Sequence, residues 1–222
     1  PYATTREFYD LINPDLLPQR LSVEHGEAPV MDALRKAYGS DRLSEAQWKD
    51  VRRVYYAMCS QIDDFFGRVV SAVEAKGVYD NTLILFFSDH GDFTGDYDLP
   101  EKTHCALQDC LLNVPLIIKP HASLPVKPGL RQHLTELIDI PATIYDLLGI
   151  DPGYDHQGIS LRGSLEGDES ELRDAVFAEV GSRRGETAFK NMQAREMSEG
   201  SFYRTQSGAV FPFHDDGKTA PD

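Results

Sequence analysis

The sequence predicts an α/β fold, a sheet flanked by helices, and three observations carry that prediction. The first is a long amphipathic segment from Ser44 to Lys76, in which Val51, Val54, Tyr55, Met58, Ile62, Phe65, Phe66, Val69 and Val73 recur at helical spacing. The second is the apolar run Thr82-Leu83-Ile84-Leu85-Phe86-Phe87, separated from that helix by the turn Val78-Tyr79-Asp80-Asn81 and about the length of a buried strand. The third is another short run, Val114-Pro115-Leu116-Ile117-Ile118, whose proline stands among a strand's first residues, where a missing amide donor is tolerated. A long helix, a tight turn and a buried strand make the second half of a βαβ unit. The strand that should come before it would lie ahead of residue 1.

In chain order, residues 1–30 hold four of the thirteen prolines, Pro1, Pro14, Pro18 and Pro29, and read as an extended surface segment around Phe8 and Tyr9. A short helix is predicted over Val30 to Tyr38, stopped by Gly39. Ser44 with Gln47 makes a capping box for the long helix, and Gly77 stands where its end calls for left-handed backbone. After the strands, residues 121–131 read as loop, and Asp139 as the N-cap of a helix anchored by Ile144, Leu147 and Leu148 and ended by Gly149. Residues 151–174 are turn-rich, and Ala175 to Val180 offers a third strand. Residues 181–222 carry weak signals: a tail, or a continuation of the domain formed by residues 1–180. No domain boundary is evident between residues 1 and 180.

At 222 residues, the chain is long enough to bury a substantial core. No run of about 18 apolar residues occurs, so no transmembrane helix is expected. Asp and Glu outnumber Lys and Arg by 36 to 22, for a formal charge of −14. That field repels phosphate backbones and argues against nucleic acid as a partner. It also repels an anionic ester unless a bound cation reverses the sign locally. Cys59, Cys105 and Cys110 form no metal-type array and no even disulfide set. Beginning at Pro1 with no initiator Met and no signal sequence, the chain reads as lacking an upstream segment, and its compartment is not encoded.

The chemistry begins where the strand ends, at Ser88-Asp89-His90-Gly91. A carboxylate and an imidazole at the C-terminal end of a strand stand where open α/β sheets bind ligands. Adjacent strand side chains point to opposite faces, so both reach one ion only if the chain turns, and Gly91 permits the turn. The competing reading makes Asp89 a helix cap and His90 an exposed loop residue. Next comes an acidic loop, with Asp92, Asp96 and Asp98 around Gly95, which carboxylates gathered on a hard cation would explain. Lys102 comes after it, either a mobile charge for an oxyanion or a solvated surface lysine.

In combination these residues resemble the sulfatase family of the alkaline phosphatase superfamily. The likeness runs from Asn81 through Ser88-Asp89-His90-Gly91, the glycine-containing loop and Lys102 to Val114-Pro115-Leu116-Ile117-Ile118. Gln61 to Gly67 is similar to the family's preceding helix, Ile138 to Gly149 to its following helix, and Gly158-Ile159-Ser160-Leu161 to its next turn. The resemblance covers roughly residues 1–180. It implies an alkaline-phosphatase-like sheet flanked by helices, incomplete in this chain, and a metal-dependent sulfuric ester hydrolase. It makes Asp89 and His90 ligands of a divalent cation, Ca2+ in most sulfatases, with Mg2+, Mn2+ or Zn2+ open because imidazole is a softer donor. It gives Lys102, with His104 beside it, the binding of the sulfate group of a small-molecule ester.

One motif of that family is missing. None of the three cysteines and no serine fits C/S-x-P-x-R, the site of its formylglycine nucleophile, and two further metal aspartates are also absent. Pro1-Tyr2 resembles the residues just after the family's H-x-P segment. The resemblance therefore implies the carboxy-terminal half of a catalytic domain, inactive by itself. The same metal and lysine serve phosphate and phosphonate esters, and a non-catalytic sulfatase-like domain is the reading from outside enzymology. His25, His121, His133, His156, His214 and the Arg183-Arg184 pair read as surface residues.

Overall fold

The computed structural model describes residues 2–23, 28–103 and 106–179, together with the strand residues 203–204 and 210–211. The chain divides into two units, a boundary that hydrophobic patterning did not reveal. The first comprises Pro1–Val69, Asp92–Leu111 and Val180–Asp222; the second comprises Val70–Gly91 and Leu112–Glu179.

In the first unit the proline-rich start is more regular than extended chain. It forms helix α1 (Arg6–Leu11) and a single 3₁₀ turn at Pro14–Leu16. Tyr9 of α1 lies under the Arg53 guanidinium, 3.9 Å from its ring centre, and bonds to Asp50. Helix α2 (Pro29–Tyr38) ends at Gly39, whose φ of 66° is the left-handed stop that the sequence predicts. Helix α3 (Glu45–Ala75) opens with the predicted capping box: the Ser44 amide donates to Gln47 Oε1 at 2.8 Å, and the Gln47 amide to Ser44 Oγ at 3.3 Å. Gly77 then adopts a left-handed φ of 68°.

The core of this unit joins Met31 and Leu34 of α2 to Phe93, Leu99 and Ala106 and to Leu111 of the short helix α4 (Asp109–Leu112). Trp48, Val51 and Ala57 of α3 are buried as well. The apolar stripe of α3 is not buried along its whole length, as its spacing predicts. Ile62 and Phe65 are exposed, and Val69 keeps 60% of its surface in solvent. Periodicity marks a face that an element could cover, and only the first turns of α3 have such cover.

Between Phe93 and Leu99 the chain makes a tight, strained loop. Thr94, Tyr97 and Asp98 have φ of 52°, 54° and 56°, uncommon for residues with side chains and most costly for β-branched Thr94. Gly95, at φ 98°, has no such cost, and a Cβ there would come within 2.8 Å of Arg20 Cδ and 3.1 Å of the Trp48 ring. The loop's carbonyls are taken up by side chains. Arg52 Nη1 donates to Thr94 O at 3.4 Å, Arg20 Nη1 to Gly95 O at 2.9 Å, Arg35 Nε to Tyr97 O at 2.8 Å and Ser40 Oγ to Asp98 O at 2.7 Å.

The second unit holds a two-stranded sheet. Strand β1 (Ile84–Phe87) pairs with β2 (Leu116–Lys119) in the register Ile84↔Lys119 to Phe87↔Leu116. The pairing is antiparallel, so these two strands are not the parallel neighbours that a βαβ crossover joins. β1 is half-buried rather than buried, with Phe87 47% exposed. Lys119 fixes the register end by donating to Thr82 O at 2.9 Å and to Tyr79 O.

Helix α5 (Asp139–Leu148) comes next, then α6 (Arg162–Glu166). Asp139 is the first residue of α5 rather than its N-cap, because its carboxylate is used more widely. It accepts the amides of Glu136 and Ile159, each at 2.8 Å, and Arg173 Nη2 at 2.6 Å. Gly158 fits against the start of α5, where a Cβ would overlap Ile138 O at 2.1 Å. Ala175–Glu179 is not a strand; the Phe177 amide instead donates to Glu136 at 2.8 Å, and Val180 lies outside the described residues. A separate pair, β3 (Tyr203–Arg204) and β4 (Val210–Phe211), is antiparallel; the rest of 181–222 lies outside the described residues.

Two substitutions test these roles. Arg52→Ala leaves Asp96 and the Thr94 carbonyl short of a donor and is expected to cost about 2–3 kcal/mol in urea unfolding, with faster proteolysis inside residues 93–99. Asp139→Ala leaves Arg173 partly uncompensated in a buried site and is expected to cost about 3 kcal/mol by the same measurement.

Candidate metal and oxyanion site

β1 ends at Phe87, and the next three side chains fold back on their own backbone. Ser88 Oγ donates to His90 O at 2.6 Å, and the His90 amide donates to Asp89 Oδ1 at 3.0 Å. His90 Nδ1 lies 2.8 Å from Gly91 O and donates to it, so the neutral imidazole would carry its lone pair on Nε2. Nε2 and Asp89 Oδ2 are 3.6 Å apart, a separation that two ligands of one cation can have. The Asp89 side chain is 80% exposed, so the pair opens to solvent. The turn between Asp89 and Gly91 brings the two side chains to the same side; Asp89 caps no helix among the described residues, while His90 is an exposed loop residue, as the competing reading has it. The donor set, one carboxylate and one imidazole, suits a divalent cation as part of a shell. Among the described residues no group of three or more His, Cys, Asp or Glu could hold one.

The acidic loop does not supply the missing ligands. Asp96 Oδ1 takes Arg52 Nη1 at 3.0 Å and the Leu21 amide at 2.9 Å, and Asp98 Oδ1 takes Arg20 Nη1 at 2.6 Å. The expectation of carboxylates gathered on a hard cation is corrected here: these two neutralise arginines and hold the loop's shape.

Asp92 differs from them. Burial pushes its carboxyl above the ordinary value, opposed by the Tyr2 phenol beside it, by a hydrogen bond from the Phe93 amide and by the backbone N–H and charge of Lys102. The Tyr2 phenol is pushed far up, first by burial and then by Asp92. Lys102 itself is exposed and in no helix or strand. His104 and Cys105 lie outside the described residues. The unit boundary passes between Gly91 and Asp92, so Asp89 and His90 belong to the second unit and Lys102 to the first.

Sequence reasoning did not single out Tyr2 and Asp92 as partners; 90 positions apart, they share no spacing signal. Of the other histidines, His133 bonds to Ser164 Oγ at 2.8 Å and His156 packs on Tyr145 at 6.0 Å between ring centres, both local contacts; His25 and His214 lie outside the described residues, as does Arg183-Arg184. The Cys110 thiol is pushed up to about 11, by burial first and then by Asp96, which leaves little thiolate at neutral pH.

Comparison with known proteins places this chain in a family. A family model described as Sulfatase matches residues 19–150. The chain is 28% identical over 200 residues to the multifunctional alkaline phosphatase superfamily protein PehA of Trinickia caryophylli, covering 82% of this chain and 38% of that protein. It is 31% identical over 158 residues to the choline-sulfatase of Rhizobium meliloti (strain 1021), covering 68% and 29%. Among solved structures, the phosphonate monoester hydrolase of Agrobacterium radiobacter superposes with a TM-score of 0.60 at 25% identity, over 78% of this chain and 37% of that one. The chain thus spans well under half the length of these relatives. Its fold is alkaline-phosphatase-like, represented here by the helices and a small antiparallel sheet. On the match over residues 19–150, the chain belongs to the sulfatase family.

Proposed function

We propose that this chain supplies the cation- and oxyanion-binding side of a metal-dependent sulfuric ester hydrolase, as the carboxy-terminal half of its catalytic domain. The observation that carries the reading is the Asp89–His90 turn, with Oδ2 and Nε2 3.6 Å apart, inside the stretch matched to the family. Asp89 and His90 hold the divalent cation, Ca2+ by family resemblance, with Mg2+, Mn2+ and Zn2+ as the other candidates. When bound, the cation supplies positive charge for the non-bridging oxygens of the ester. By the family resemblance, Lys102 supplies positive charge to the oxyanion of the ester, and His104 flanks it in sequence. The cation also answers the electrostatic problem of a chain at −14 binding an anion.

The nucleophile comes from residues outside this chain. Ser123-Leu124-Pro125-Val126-Lys127 comes nearest to C/S-x-P-x-R but ends in lysine, and its serine hydroxyl is bonded to His121 at 2.6 Å. A second reading, hydrolysis of a phosphoric or phosphonate ester, is favoured by the phosphonate monoester hydrolase among the structural relatives.

Calcium titrated into the chain by calorimetry is expected to bind weakly, on the order of 1 mM, as two protein ligands allow, and Asp89→Ala is expected to abolish the heat. No aryl sulfate hydrolysis is expected from the chain alone. Turnover by the chain alone that Lys102→Ala abolishes would overturn the fragment reading. Supplying a polypeptide that carries the nucleophile motif is expected to restore turnover, and the ratio of kcat/KM for a phenyl sulfate and a phenyl phosphonate ester decides between the two ester classes.

A further inference from the structure

We propose that Tyr2 and Asp92 form a half-buried clip that sets the position of Lys102, which makes Tyr2 a positioning residue for the oxyanion-binding lysine. This role presupposes that Lys102 meets the oxyanion. A lysine on coil, with a long flexible stem, is a poor electrostatic catalyst unless its backbone is held. The described residues around Lys102, from Pro100 to Thr103, have no regular structure of their own.

It is held from both sides of the loop. Tyr2 Oη donates to Pro100 O at 3.0 Å, across 98 positions of sequence. Pro100 adjoins Leu99, which is fully buried in the core of the first unit. The phenol also lies beside the Asp92 carboxyl, which in turn meets the Lys102 backbone N–H. Asp92 is itself fixed, because its Oδ1 accepts the amide of Phe93 at 2.9 Å and Phe93 is fully buried beside Leu99. The Tyr2 ring leans on Tyr55 of α3, with 5.8 Å between ring centres. A path of contacts therefore runs from the long helix through Tyr2 and Asp92 to the backbone of Lys102, all within one unit.

A purely structural anchor for the start of the chain would need the Tyr55 contact alone. Burying a carboxyl beside it costs free energy, and the return visible in the structure is the hold on Lys102 and on Pro100 two residues before it. The clip also gives a use to Asp92, the acidic-loop residue that no arginine engages in the described contacts.

The test has two arms. In the chain itself, hydrogen exchange followed by NMR is expected to show the Lys102 amide exchanging at least about tenfold faster in Tyr2→Phe, while amides of α3 keep their rates. Asp92→Asn, which retains an acceptor oxygen, is expected to disturb the Lys102 amide less than Asp92→Ala. Unchanged exchange at Lys102 in Tyr2→Phe, or equal acceleration throughout the first unit, would overturn the clip. In the assembled enzyme, Tyr2→Phe is expected to lower kcat about tenfold with KM within about twofold. Added to Lys102→Ala it should lower kcat no further, because it acts through that lysine. Additive losses would also overturn the proposal. If no assembly turns over an ester, the proposed hydrolase fails, and the exchange arm still decides the clip.

Discussion

Three arginines hold a loop that would not otherwise keep its shape. Residues 93–99 carry three side-chain-bearing residues in left-handed backbone, each conformation costing on the order of 1 kcal/mol or more. Arg20, Arg35 and Arg52 offset that cost by donating to the loop's carbonyls and to Asp96 and Asp98. Two of the three come from helices α2 and α3, and Phe93 and Leu99 bury the loop's two ends in the core. The packing of the first unit and the placement of Lys102 both depend on this loop. An arginine suits the task better than a lysine, since its fork can serve a carbonyl and a carboxylate together.

The features legible in the sequence were those with a local signature. Gly39 and the capping box at Ser44 and Gln47 fixed helix ends, and the run Thr82 to Phe87 contained the strand. The Asp89–His90 pair could be located because the apolar run breaks off at polar residues and a glycine, which marks a strand end and a turn. Other features depended on partners distant in sequence. Nothing near Asp96 announces Arg52, 44 positions away, so an acidic cluster looked like a cation site when it was an ion-pair network. Asp139 looked like a cap because its second and third partners, Ile159 and Arg173, lie 20 and 34 residues on. The direction of β2 relative to β1 is likewise a tertiary fact, since a short apolar run carries no polarity.

The surfaces of the two units show where further elements could pack. The later turns of α3 present Ile62, Phe65 and Val69, and the sheet presents Phe87 and Ile117. Each is an apolar residue at a position whose periodicity belongs to a covered face. The chain spans 38% of PehA and 29% of the choline-sulfatase, so in those longer proteins more polypeptide is available to lie against the corresponding faces.

The ion pairs of the loop also bear on the order of events as the protein matures. Because Asp96 and Asp98 are neutralised from within the chain, the segment between the candidate ligands and Lys102 takes its shape without any bound cation. Zinc fingers behave in the opposite way, since their metal-binding energy is their folding energy. On the function proposed above, folding and metal loading would be separate steps. A chelator is then expected to leave the scaffold folded, and a newly made chain could reach its native form with the proposed site still empty.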